Sequence, residues 1–287
     1  MPSLLIFAQL TIREAARRRL LVALAVLTLI LIVATGWGFS KLNDPGLHNG
    51  HPLGQVEVRL LASQLLILVA FLFSGVLALS AAFVAAPSIS GDVESNLAQS
   101  MLARPARRSD YVLGKWLGLA LLVVLYAVGT GLLAVLAVRI ATGYVPPNVG
   151  GLVASVAGEG LVVLTLALLL STRVAGMTGG IVALVLWFMA WIGGIAGGIG
   201  QTLNNAALAD TGLVMGLILP TDALWRSAVF SMEPAAVVAI SRAGGAAVAS
   251  DPFSATQPIP VGMLVWSIVW VVGVLVLAVL SFRRREI

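Results

Sequence analysis

Residues 60–86 read LLASQLLILVAFLFSGVLALSAAFVAA, a run without a single Asp, Glu, Lys or Arg. A helix rises about 1.5 Å per residue and needs roughly 20 apolar residues to cross about 30 Å of hydrocarbon. This run crosses it with residues to spare. Working outward, four more charge-free stretches pass the same test: 20–39, 116–138, 174–200 and 261–282. A sixth, 152–172, passes if Glu159 is accommodated. The whole composition agrees, with 60% hydrophobic and only 10% charged residues, against about 25% charged in soluble domains. The expected fold is an all-α polytopic membrane protein, a single transmembrane domain over residues 1–287 with six spanning helices.

Orientation follows from the basic residues. With six spans, Arg13, Arg17, Arg18, Arg19, Arg104, Arg107, Arg108, Lys115, Arg173, Arg283, Arg284 and Arg285 share one side, and Lys41, Arg59, Arg139, Arg226 and Arg242 share the other. Twelve against five places the first group, and both termini, in the cytoplasm by the positive-inside rule. The protein is thus expected in the cell's inner (plasma) membrane. The first apolar run is about twice a signal-peptide core and has no clear cleavage site, so it reads as a retained span. Before it, residues 3–19 mix Leu4, Phe7, Ala8 and Ile12 with Gln9, Arg13, Glu14 and Arg17, the pattern of an amphipathic helix lying in the interface.

Three segments depart from a plain bundle. Residues 87–115, PSISGDVESNLAQSMLARPARRSDYVLGK, form the expected cytoplasmic loop between spans two and three. Acidic Asp92 and Glu94 precede Leu97, Met101 and Leu102, and Arg104-Pro105 closes the run, which predicts a short helix with an apolar face. Held outside the membrane, that face suits a protein partner or folds back on the bundle. Ser109-Asp110 reads as the cap of the third span. The second segment, 201–260, is too long and apolar for a simple connection. Leu213 to Leu219 is too short to span, Pro220 follows, and Thr221-Asp222 reads as a cap, so short extracytoplasmic helices, or a seventh span, are expected there. Third, Gly176/Gly180, Gly193/Gly197 and Gly194/Gly198 are each four apart, giving small-residue faces for close helix packing within the subunit or across a dimer.

No catalytic constellation is visible. The phosphate-cradling loop G-x-x-x-x-G-K-[ST] is absent: the pair Gly114-Lys115 is followed by Trp116. There is no cysteine, which excludes disulfides, thiolate metal sites and thiol catalysis. His48 and His51 read as solvated loop residues, and no metal site is expected. The net charge of +5 reflects topology, with no basic, aromatic-interleaved surface for nucleic acid. Glu159 is the one carboxylate inside an expected span. It either lines a substrate path, or Gly158 and Gly160 unwind the helix end and let it meet interfacial water.

Asp92-Val93-Glu94, Leu102-Ala103-Arg104-Pro105 and Arg107-Arg108-Ser109-Asp110-Tyr111-Val112-Leu113-Gly114-Lys115 together resemble the cytoplasmic signature of ABC-2-type permeases. Asn96-Leu97 stands where that family usually has Gly-Thr. The run Pro220-Thr221-Asp222-Ala223-Leu224-Trp225-Arg226 is similar to the subgroup linked to multicopper-enzyme maturation, typified by nitrous-oxide-reductase accessory permeases. The resemblance implies a coupling helix within 87–104 docked on a separate ATP-binding subunit through Asp92, Glu94, Leu97, Met101, Leu102 and Arg104, with Arg107 and Arg108 at headgroup level. It further implies two such subunits per complex, ATP and Mg held there with no cofactor on this chain, a second permease copy or paralogue, and export. The apolar spans favour lipid-like cargo, whereas the subgroup points to metalloenzyme maturation. A stand-alone secondary transporter or channel would have to work through Glu159.

Overall fold

The computed structural model describes residues 3–16, 19–44, 53–95, 97, 107–243 and 251–285. Among them the regular elements are all helical: α1 (Ser3–Ala16), α2 (Arg19–Ser40), α3 (Gln55–Glu94), α4 (Arg108–Thr142), α5 (Val149–Ser171), α6 (Gly176–Thr202), α7 (Ala206–Ile218), α8 (Thr221–Met232), α9 (Ala235–Ala243) and α10 (Val261–Arg283). Six of them, α2 to α6 and α10, are long and apolar enough to cross a membrane, one for each apolar run. Phe7 of α1, Tyr111 of α4 and Phe282 of α10 pack ring on ring, with centroids 5.4 and 5.3 Å apart. Both ends of the chain therefore meet at one end of the bundle, called here the near end.

The helix α5 is the axle. In its apolar window 72% of residues are buried, against 11% in α10, and α3, α4, α6, α8 and α10 surround it. Lipid tails are as apolar as leucine, so burial of apolar surface gives helices little reason to associate, and close packing of small residues takes over. The core shows it: Ala62, Ala82, Ala85, Ala167 and Ala183 are fully buried between helices. Along α1, Phe7, Ala8, Thr11 and Ala15 recur on one buried face. That face lies on α4, where a Cβ at Gly114 would come 2.5 Å from Phe7 Cβ and one at Gly118 2.7 Å from the Ala8 carbonyl. Leu5, Ile6 and Leu10 stay exposed on the other side.

Two boundaries differ from those the sequence suggests. The helix α3 does not stop before Pro87; it continues to Glu94. Proline removes a donor and crowds the preceding turn, at a cost of about 3 kcal/mol in a helix interior. Just beyond the proline a neighbouring helix engages this stretch: the Ser171 hydroxyl, at the end of α5, accepts the N–H groups of both Ile89 and Ser90 at 3.1 Å. The Ser88 hydroxyl meanwhile donates to the Ala85 carbonyl at 2.6 Å. The third span starts at Arg108, with Arg107 as a cap that makes no side-chain bond. Ser109-Asp110 is thus the first turn rather than the cap, and Asp110 accepts a hydrogen bond from Ser3 of α1.

At the far end, α7 and α8 are two short helices meeting at 96°. Thr221-Asp222 is not the cap of α8 either; Pro220 occupies that position without a side-chain bond. The carbonyls that α7 leaves open at its end are taken by α10, whose Trp266 and Trp270 indoles donate to Leu217 O and Ile218 O at 3.0 and 2.8 Å. Gly143 closes α4 in the left-handed region, at φ 71°, where glycine carries no Cβ penalty. An aromatic cluster seats α8 and the last loop on the bundle: Phe71 meets Trp191, Trp225 and Phe253 at 5.2–5.3 Å.

Candidate functional site: the near-end junction and the far-end cavity

At 1.5 Å per residue α3 is about 60 Å long, roughly twice the hydrocarbon thickness. Its last turns pack into a near-end cluster, with Ile89 buried alongside Tyr111, Leu168 and Phe282, and carry Asp92. This carboxylate is turned inward, toward α4. Its Oδ2 lies 2.6 Å from Lys115 Nζ of α4 and accepts the Tyr111 hydroxyl at 2.5 Å. Lys115, only 4% exposed, also donates to the Ser88 carbonyl at 2.5 Å and sits 3.8 Å from Glu14 of α1. One buried ammonium thus joins α1, α3 and α4.

The remaining candidates divide. Glu94 and Leu97 are exposed, as a contact surface requires. Met101, Leu102 and Arg104, like His48 and His51, lie outside the described residues. Arg108 donates to the carbonyls of Arg283 and Arg285 at 3.1 and 2.8 Å, and Arg285 donates to Thr172 O at 2.7 Å. These near-end arginines tie helix ends together, a use that charge counting alone does not reveal. Lys115 and Tyr111 were missed as site residues. Their signal was present: they stand four apart and so share one face of α4, a cation and a phenol with only Val112, Leu113 and Gly114 between them.

Glu159 meets no unwound helix end; α5 runs unbroken through Gly158 and Gly160. The carboxylate is 3% exposed and both oxygens are satisfied, by Ser74 Oγ at 2.6 Å and Trp187 Nε1 at 2.7 Å. It pins α5 to α3 and α6. Gly160 admits it to this depth, since a Cβ there would lie 2.8 Å from both Leu77 and Val123 side-chain carbons.

The glycine faces of α6 are used within the chain. A Cβ at Gly176 would lie 2.8 Å from Pro87 Cα, and one at Gly180 3.2 Å from the Phe83 ring, both on α3. At the other end Gly193 and Gly197 receive α7: the added Cβ would come 2.6 Å from Met215 and 2.8 Å from Gly212 Cα. Gly194 faces Asp222, whose carboxylate occupies the space a side chain there would need.

Asp222 belongs to a second polar group that the sequence reading passed over, although an acid and a base four apart on a helix is a readable pattern. Arg226 Nε donates to Asp222 Oδ2 at 2.9 Å, and its Nη2 donates to Gly194 O at 3.2 Å. The pair lines a cavity of about 570 Å³ between α6, α7, α8 and the loop before α10, with Gly197, Gly198, Asp210 and Met263 among its walls. Beyond it, Glu233 is buried, takes the Ala255 N–H at 3.3 Å on Oε2, and has its proton affinity raised to about 7, mainly by burial.

Among the described residues no group of three or more His, Cys, Asp or Glu could hold a metal ion. Comparison with curated proteins finds no match. The family model described as ABC-2 family transporter protein matches residues 6–287, nearly the whole chain, including both ends of the near-end junction. This chain belongs to the ABC-2 transporter family and is a membrane permease component of an ABC transporter.

Proposed function

We propose that the near end faces the cytoplasm, as the basic residues of its loops require, and that the chain is driven there by two separate ATP-binding subunits in a complex with a second permease copy or paralogue. The carrying observation is the buried Asp92–Lys115 pair at 2.6 Å. Residues 96–106 enter from α3 and leave into α4, so this pair fastens both exits to one another. A push on that segment by an ATP-binding subunit is delivered to α1, α3 and α4 together, which a two-state repacking of the spans requires. Glu94, Leu97, Met101, Leu102 and Arg104 form the docking surface, while Asp92 acts behind it as an anchor. ATP and Mg belong to the partner, and transport runs outward. The Pro220-to-Arg226 run supports the finer placement beside permeases that serve metalloenzyme maturation.

The experiment is a mild-detergent pull-down of the tagged chain from its native membrane. Recovery of an ATPase with a phosphate-binding loop, lost on Leu97→Asp or Glu94→Arg with membrane insertion intact, is the expected result. A permease recovered alone at every detergent mildness would overturn the reading. The stand-alone transporter alternative draws no support from Glu159, whose carboxylate is buried and takes hydrogen bonds from Ser74 and Trp187 between α3, α5 and α6.

A further inference from the structure

We propose that the near-end corner where α4, the α5–α6 turn and α10 meet binds the phosphate of an anionic membrane lipid. Arg108, Arg173, Arg283, Arg284 and Arg285 belong to that corner, and three of their side chains are knotted into it. Arg173 donates to Ser281 Oγ and O at 2.9 and 3.1 Å, and Arg285 to Thr172 O at 2.7 Å. Arg108 donates to the carbonyls of Arg283 and Arg285 at 3.1 and 2.8 Å. The Thr172 and Ser281 hydroxyls meet at 2.8 Å, so the guanidiniums are held within one patch. Every one of these acceptors is neutral. The near-end acids are engaged elsewhere, Asp92 and Glu14 beside Lys115 and Asp110 with Ser3. Among the described residues no carboxylate pairs with any of these arginines.

Like charges fixed together without a counter-charge repel one another, and a bound anion relieves that. Donors for it are in place. A guanidinium carries N–H groups on all three nitrogens; among the described residues Arg108 and Arg285 each spend only Nη1, and Arg173 spends Nε and Nη2. Arg173, Arg283 and Arg284 are exposed and Arg108 and Arg285 half-buried, so the patch is open to a headgroup. Arginine forks match phosphate oxygens better than any other side chain. The level of the corner says which phosphate. The helices α5 and α10 each have 23 residues, about 34 Å of rise, close to the hydrocarbon thickness. Their joined near ends therefore sit at the headgroup layer. Below the arginines, Leu277 and Leu280 of α10 and Met177 and Ile181 of α6 are exposed, apolar surface for the acyl chains of the same lipid. The headgroup clips α4, α5 and α10 together. This requires the chain to span a bilayer and needs no ATP-binding subunit.

The test is a native mass-spectrometric titration of the permease alone in neutral detergent with phosphatidylglycerol or phosphatidylcholine, reading the affinity for the first lipid bound. Because no ATP-binding subunit is present, failure here is separable from failure of the pull-down. Phosphatidylglycerol should bind at least tenfold more tightly than phosphatidylcholine. Arg173→Gln should weaken it about fivefold, the worth of one arginine near an anionic headgroup, and Arg108→Gln decides the matter if Arg173→Gln fails to fold. Arg139→Gln, which removes an exposed charge at the other end of α4, should leave it unchanged. Excess inorganic phosphate should not displace the lipid. Equal affinity for the two lipids, wild-type affinity in the Arg173 and Arg108 variants, or an equal loss in Arg139→Gln would each overturn the proposal. So would displacement by inorganic phosphate, which makes a soluble anion the occupant. Glu286 lies outside the described residues, and phosphatidylglycerol binding seen only in Glu286→Gln would hand the site to the chain's own acid and overturn the proposal as well.

Discussion

Replacing Asp92 by Asn tests the near-end junction most directly. The amide keeps an acceptor for the Tyr111 hydroxyl, so the loss is confined to charge. Lys115 is then left 4% exposed with the Ser88 carbonyl and a Glu14 carboxylate 3.8 Å away. Removing one partner of a buried ion pair costs about 3–5 kcal/mol, because the other charge stays desolvated. The residual contacts to Ser88 and Glu14 place the expectation at the lower bound, about 3 kcal/mol. Lys115→Met should cost a similar amount, whereas the double variant, with neither charge present, should return to within about 1 kcal/mol of wild type. The assay is a double-mutant cycle of unfolding in mixed micelles, followed by tryptophan fluorescence, with ATP-driven turnover measured beside it. Coupling should fall in both single variants and recover only in part in the double, which restores packing but not the strong tie between α3 and α4. Costs that simply add across the cycle would refute the pairing, since additivity is the signature of sites that do not interact.

Other expectations follow from single contacts. Gly114→Ala drives a Cβ to 2.5 Å from Phe7 Cβ; α1 should lift from α4, at a cost of about 1–3 kcal/mol, and a protease should reach Arg13 sooner. Glu159→Gln should insert and transport nearly as wild type, because an amide still serves Trp187 and Ser74. Glu159→Leu should instead lose about 1–3 kcal/mol by orphaning both donors, visible as a lower unfolding midpoint. Glu233 has a folded-state pKa of about 7, raised by burial and by Asp251 and opposed by the Ala255 N–H. A raised acid pKa means the neutral form suits the fold, so stability is fullest below the ordinary carboxylate value and declines as pH rises to about 7. Amide exchange of residues 251–257, corrected for intrinsic rates, should therefore quicken between pH 5 and 8, and Glu233→Gln should flatten that dependence.

The spans were legible because apolar runs of this length have few physical outlets, and a helix long and apolar enough to cross a membrane covers each of the six. What misled were boundaries set by local rules. Pro87 reads as a stop because the contact that holds the helix beyond it, the Ser171 hydroxyl, lies 81 and 82 residues along the chain from the N–H groups it accepts. Likewise Ser109-Asp110 and Thr221-Asp222 have the right residue types for caps, but each helix had begun a residue or two earlier. Asp92 looked solvent-facing because an acid at a helix start normally is, and the lysine that buries it stands beyond a loop. Glu159 posed the same difficulty: its donors, Ser74 and Trp187, come from two other helices. Distant pairing of this kind leaves no periodic trace, whereas the i,i+4 pairs Tyr111/Lys115 and Asp222/Arg226 did leave one.

The close seat of Gly176 on Pro87 has a mechanical consequence. It gives α3 a fulcrum near one end: about 10 Å of helix lies between Pro87 and Glu94, and about 48 Å between Pro87 and Gln55. Turned as a rigid rod about that point, α3 amplifies lateral displacement roughly fivefold, so a 1 Å shove at Glu94 sweeps the opposite tip through about 5 Å. The fulcrum is also the rod's weakest place, because the proline interrupts its ladder there. The Ser171 hydroxyl, which holds the Ile89 and Ser90 N–H groups beside that pivot, stiffens the short arm, and Ser171→Ala would soften it.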